Sequence, residues 1–139
     1  MVDAQQNVKK DRPVYRNIGL AQLVKYRLPW AGKVSILHRI SGAVLFLLLP
    51  FILYLFDQSL ASELSYQQFQ AFTGNVLVKI ICLGLIWCFL HHFCAGIRYL
   101  LLDLEIGVEK SESNRSAIVV LVVGIALTAV VGLKLFGLY

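Results

Sequence analysis

"IICLGLIWCFLHHFCAGI", residues 80–97, holds no Asp, Glu, Lys or Arg. At about 20 residues per bilayer crossing, it approaches the length of one transmembrane helix. Working outward, residues 40–56 and 116–133 are charge-free in the same way. All three runs are continuous in Leu, Ile and Val rather than alternating, and each is too long for a single strand, which excludes a β-barrel. Composition agrees: 58% of the 139 residues are hydrophobic and 15% are charged, with a mean hydropathy of +0.72, well outside the balance of an ordinary soluble domain. The expected fold is an all-α integral membrane protein with three spans, at about 33–57, 76–102 and 116–138.

Charge distribution orients those spans. Lys9, Lys10, Arg12, Arg16, Lys25, Arg27, Lys33 and Arg39, eight of the 13 basic residues, precede the first apolar run. Such a cluster reads as a topogenic signal that keeps its end in the cytoplasm, and no folded nucleic-acid module fits it. Residues 1–30 are therefore expected to form a basic cytoplasmic segment ahead of an anchor domain at 31–139, with no short cleavable signal before the first span. The 57–75 loop, with Asp57 and Glu63 but no basic residue, suits the far side, and "SYQQFQAF" within it suggests a short helix. Lys110 and Arg115 return the 103–115 loop to the cytoplasm, which leaves the C-terminus outside with Lys134 snorkelling from the last turn. Leu20, Leu23 and Val24 form a short apolar stripe stopped by Pro29. Trp30 suits the membrane interface, and Pro50 is able to kink the first span.

Small and sulfur-bearing residues add packing information. Cys82, Cys88 and Cys94 recur every six residues, about 600° of helix, so they fall on different faces. Without a CxxC pair they read as free thiols rather than as cluster or zinc ligands. Gly124, Thr128 and Gly132 lie four apart in the third span, a small-residue stripe that lets another helix approach closely.

The ionisable residues in the apolar spans carry the chemistry, because such groups are expensive in lipid and face a protein interior, a partner or a cofactor. In "HHFCAGIRYLLLD", residues 91–103, His92 shares a helical face with Cys88, Gly96 and Tyr99, and Asp103 returns to within about 20° of it. His91 shares its face with Arg98 instead. Adjacent histidines on one helix cannot be the two opposite axial ligands of one haem, so a second ligand would come from elsewhere. Gly96 would leave flat space beside His92, favouring it over His91. The alternative is a histidine bonded to a neighbouring helix's backbone or hydroxyl, and spacing alone leaves both open. In "SILHRISG", residues 35–42, Ser35, His38 and Arg39 share a face at the mouth of the first span. A hydroxyl and a guanidinium there could hold a quinone carbonyl or a carboxylate; otherwise Arg39 snorkels to lipid phosphate. His92 stands about 9 Å of helix rise from Arg98 and about 16 Å from Asp103, so haem propionates could extend toward His38 and Arg39.

"RPVYRNIGL", "SILHRISG" and "HHFCAGIRYLLLD" together resemble the cytochrome b556 membrane-anchor family of succinate dehydrogenase, respiratory complex II, over most of the chain. The resemblance implies a three-helix anchor that forms part of a heterodimeric helix bundle. It implies His92 as a haem b axial ligand opposite a histidine of a second anchor subunit, His38 and Arg39 near the haem propionates, and Ser35 and Arg39 lining a ubiquinone site. Asp103 matches the acidic residue that ends the second-span motif, with a structural or polar-network role. Val14 to Asn17 depart from the Ser-Pro-His-Leu common in the family, Tyr99 stands where His or Phe is common, and His91 lies outside the motif.

The implied partners are the second anchor, an iron-sulfur subunit, a flavoprotein subunit and membrane lipid. The chain lacks a flavin motif and cluster ligands, so no residue is assigned a catalytic role in succinate oxidation. Two other classes stand beside this reading: a cofactor-free scaffold that tethers a soluble dehydrogenase, and a small transporter subunit using His91, His92 and Arg98 as a proton path.

Overall fold

A computed structural model describes residue 17 and residues 19–138. Lys9, Lys10, Arg12 and Arg16, most of "RPVYRNIGL", and the side chains of Leu20, Leu23 and Val24 lie outside the described residues. The described chain is helical: α1 (Leu20–Lys25), α2 (Trp30–Ala61), α3 (Glu63–Gly74), α4 (Val76–Asp103) and α5 (Lys110–Leu135). Three of these, α2, α4 and α5, are long and apolar enough to cross a membrane, and no strand occurs among the described residues.

Each helix begins and ends for a local reason. α2 starts immediately after Pro29, and Lys33 Nζ sits 4.2 Å from the centre of the Trp30 ring. It runs unbroken through Pro50. Ser62 then caps α3 in a capping box with Ser65, and the Asn75 side chain accepts from Leu77 N–H to open α4. α4 ends with Ile106 N–H bonded to the Leu101 carbonyl and Glu105 N–H to that of Leu102, the paired bonds that satisfy a helix's last carbonyls. α5 closes the same way through Gly137, whose φ of +69° suits a residue without a Cβ.

Contacts fix the arrangement. Residues 42 and 92, then 38 and 99, meet between α2 and α4, so these helices are antiparallel. Arg98 with Ser116, Gly124 with His91, and Gly132 with Leu83 meet between α4 and α5, again antiparallel. The buried core is small, comprising Val34, Ala95, Ala117 and Val120. Ala117, Val120, Gly124, Thr128 and Gly132 form the buried face of α5, so the stripe legible in the sequence packs within this chain, against α4. Thr128 returns its hydroxyl proton to the Gly124 carbonyl at 2.7 Å, so its own hydroxyl is satisfied at the contact.

Outside that seam the helices are apolar and open. Only 6% of the most apolar window of α2 is buried within the chain, against 28% in α5, and Phe46, Leu47, Phe89 and Phe93 all stand exposed. Such an apolar surface marks contact with lipid or another protein. With no hydrophobic drive between helices in lipid, close packing and interhelical hydrogen bonds hold this bundle together.

Candidate functional site

Gly42 of α2 faces the His92 ring of α4. A Cβ there would fall 2.8 Å from His92 Cε1 and 3.3 Å from its Nδ1. Only a glycine therefore lets the imidazole lie against the α2 backbone. The neighbouring Ser41 is buried, and its hydroxyl donates to the His38 carbonyl at 2.9 Å. His92 Nδ1 lies 3.0 Å from that same carbonyl and 3.2 Å from Ser41 Oγ. A backbone carbonyl can only accept, and the single proton of Ser41 already serves it. The proton of this contact is therefore on His92 Nδ1, and whenever the ring is neutral its lone pair is on Nε2. Nδ1 alone makes hydrogen bonds among the described residues.

His38 completes the wall. Its ring stacks on His92, centroids 4.1 Å apart and planes within 8°, and it meets Tyr99 at 5.1 Å. A Cβ on Gly96 would stand 3.8 Å from His38 Nε2. Gly42, on the opposite helix, gives the His92 ring its clearance, and Gly96 faces His38. The reason is side-chain direction. Helical side chains lean toward the N-terminus of their own helix, so His92 leans away from position 96.

Adjacent histidines are sorted by helical angle. His91, Ala95 and Arg98 form the buried face of α4. The ring of His91 stacks on Trp87 at 5.2 Å, its Cα lies 3.6 Å from where a Cβ of Gly124 would be, and neither ring nitrogen has a hydrogen-bond partner among the described residues. It is shut between helices of its own chain, whereas His92 is half-buried on the face toward α2.

Ser35, His38 and Arg39 are divided between two directions. His38 turns to α4, Ser35 is half-buried, and Arg39 is exposed without a hydrogen bond or ion pair among the described residues. Asp103 ends α4 exposed, likewise without such a partner among the described residues. Cys82, Cys88 and Cys94 are half-buried free thiols. Among the described residues no three His, Cys, Asp or Glu side chains gather around one point. Two apolar hollows, of about 460 and 420 Å³, are lined respectively by Leu83, Trp87 and Phe136 among others and by Leu45, Ile52 and Phe89 among others. No histidine lines either, so the polar site and these two hollows are separate features.

A polar clamp at the Trp30 end escaped the sequence reading. Arg98, 5% exposed, donates from Nε to Ser116 Oγ at 2.9 Å and from Nη2 to the Ser113 carbonyl and hydroxyl at 2.9 and 2.8 Å. Asn114, between those serines, accepts from Ala31 N–H at 3.1 Å. The available signal was "KSESNRS", residues 110–116, a polar run whose Ser and Asn side chains can bond backbone groups. Its partners on α2 and α4 were not readable from local pattern.

The class of protein is now defined: a multi-pass helical membrane subunit with a histidine oriented through Nδ1 at a helix crossing and a separate arginine exposed on the first span. The sequence matches the family profile described as "Succinate dehydrogenase/Fumarate reductase transmembrane subunit" over residues 9–131. It is 36% identical over 111 residues to a succinate dehydrogenase cytochrome b556 subunit of Coxiella burnetii, covering 79% of this chain and 89% of that one. Similar subunits from Rickettsia felis, 27% identical over 92% of this chain and 96% of the relative, and Paracoccus denitrificans, 30% over 80% and 85%, extend the likeness. The chain belongs to the succinate dehydrogenase/fumarate reductase cytochrome b556 membrane-anchor subunit family. Members of this family act within a multi-subunit complex and need partner proteins for catalysis.

Proposed function

We propose that this chain is the haem b- and quinone-binding anchor of a succinate:quinone oxidoreductase, through which electrons from succinate pass via an iron-sulfur subunit to ubiquinone. The observation that carries this reading is the bond from His92 Nδ1 to the His38 carbonyl. Metal-ligating histidines almost always donate their other ring N–H to a carbonyl or carboxylate, which fixes the tautomer and raises ligand basicity. The residues present fit the group: Nε2 of His92 holds the lone pair an iron would take, and Gly42 supplies the clearance the ring needs. When bound, a b-type haem supplies reversible one-electron transfer.

This chain's residues do the rest. His92 would hold the iron through Nε2, and a histidine of the second anchor subunit would supply the other ligand. His38 braces the His92 ring, and with Arg39 it offers charge and hydrogen bonds to the propionates. Ser35 and Arg39 orient a quinone: the guanidinium, always charged, polarises a carbonyl, and the hydroxyl donates a hydrogen bond. His91, enclosed against α5, is not a ligand. The flavoprotein and iron-sulfur subunits dock on the cytoplasmic face of a bacterial-type inner membrane, with the N-terminus cytoplasmic and the C-terminus outside.

The test is a reduced-minus-oxidised visible spectrum of the purified complex, co-expressed with its partners, as wild type, His92→Ala and His91→Ala. A b-type signal lost only in His92→Ala is the expected result. A signal absent from the wild type, with the soluble subunits still attached, would leave a cofactor-free scaffold.

A further inference from the structure

α2 begins without a cap of its own. Pro29 occupies the capping position and its side chain makes no bond to the first turn, where Ser, Thr, Asp or Asn normally satisfies an orphan N–H. That role is filled from 83 residues away: Asn114 Oδ1, one turn into α5, accepts from Ala31 N–H at 3.1 Å. The amide's other end donates to the Lys110 carbonyl at 3.0 Å. Turning the amide over would set donor against donor and acceptor against acceptor, so the two bonds fix its orientation together.

The capping turn is itself held. Arg98 of α4 bonds Ser113 and Ser116 on either side of Asn114, and Val34 and Ala117, both fully buried, pack one turn further in. Ser35 lies one helical turn, about 6 Å, beyond the capped Ala31, and Arg39 lies two turns, about 12 Å, beyond it. Asn114 is therefore one of the contacts that set the height and rotation at which α2 presents both groups, together with the buried Val34 and the seating of His92 on Gly42.

We propose that Asn114 is a positioning residue for the quinone site: by capping α2 from α5 it sets where Ser35 and Arg39 present their donors. This rests on the quinone reading given above. Asn114 touches neither residue, so it acts through the helix start. A hydrogen-bonding constellation loses much of its effect when displaced by even 1 Å.

The experiment uses the whole complex with Asn114→Ala and Asn114→Asp, and Arg39→Leu beside them. Succinate-driven quinone reduction is measured over a range of quinone concentration, along with artificial-dye reduction by the soluble subunits and the haem spectrum. Asn114→Ala is expected to raise quinone KM about threefold to tenfold, the change that losing one helix cap corresponds to, with kcat, dye reduction and haem spectrum unchanged. Asn114→Asp is expected to restore KM, since a carboxylate accepts from Ala31 N–H and is favoured at a helix N-terminus.

An unchanged KM in Asn114→Ala overturns the proposal, and so does a rise that Asp does not reverse. A fall in dye reduction that parallels the fall in quinone reduction in the assembled complex also overturns it, since the defect then lies upstream of the quinone. If Arg39→Leu impairs quinone reduction while Asn114→Ala does not, only the positioning role fails; if neither variant moves it, the quinone reading fails as well. Should Asn114→Ala not assemble, Asn114→Gln, an amide at the wrong length, takes its place under the same criteria.

Discussion

Replacing Gly42 with Ala should displace His92, the proposed haem ligand. The added Cβ would sit 2.8 Å from His92 Cε1, whereas carbon pairs settle at about 3.5–4.0 Å. The ring must retreat from α2 by about 0.7–1.2 Å. It is not a flexible chain end that yields freely, because His38 stacks on one face and Nδ1 is tied to the His38 carbonyl at 3.0 Å. A retreat of that size stretches the bond toward or past the limit of hydrogen bonding. Losing it costs about 1 kcal/mol, and crowding of a packed contact adds about 1–3 kcal/mol. Loss of such an outer bond typically weakens metal affinity about 10–100-fold. The assay is haem content per flavin in the purified complex, by pyridine haemochrome and by reduced-minus-oxidised spectrum. Gly96→Ala is the control, since its Cβ would meet His38 Nε2 at an ordinary 3.8 Å. Full haem content in Gly42→Ala, or equal loss in both variants, would refute the reasoning.

Three further outcomes follow from the same contacts. Arg39→Leu should lower quinone turnover about tenfold or more by removing a charged donor, while dye reduction by the soluble subunits stays intact; unaltered quinone turnover removes Arg39 from the site. Arg98→Met deletes the bonds from Arg98 to Ser113 and Ser116 and leaves those half-buried acceptors without their charged donor, which should lower bundle stability by about 2–4 kcal/mol. Thermal unfolding of the detergent-solubilised complex measures it, and a midpoint equal to wild type contradicts it. Gly124→Val should disrupt assembly, because a Cβ there would already stand in van der Waals contact with the His91 backbone at 3.6 Å and two further methyls overpack the seam, whereas Gly132→Ala should cost no more than about 1 kcal/mol, because its 3.0 Å neighbour is a methyl of Leu83 that can rotate away. Comparing purified complex yields separates the two.

The three spans were legible because each is a continuous apolar run of bilayer length, and lipid leaves a chain of that composition little choice but helix. Their ends were less legible. The third span was expected from residue 116, whereas α5 begins at Lys110. Hydropathy registers only the apolar part, while "KSESNR" continues the helix because Arg98 and Ala31 bond its side chains and carbonyl groups. α2 likewise runs from 30 to 61 rather than from 33 to 57, since backbone bonding does not stop where lipid does.

The angular sorting of His91 from His92 was readable as well, because 100° per residue is a property of any α-helix. The sequence by itself thus determined the membrane class, the number of spans, and which residues share a face. Which glycine clears His92, which nitrogen of that ring carries the proton, and what caps α2 were decided only by the tertiary structure. Each depends on where one helix sits against another: Gly42 against position 92, the His38 carbonyl against Nδ1, Asn114 against Ala31. A periodic pattern specifies rotation about one helix axis but carries no information on the height at which a second helix crosses it. That height is set by close packing of small residues and by a few interhelical hydrogen bonds, and these exist only once the helices have met.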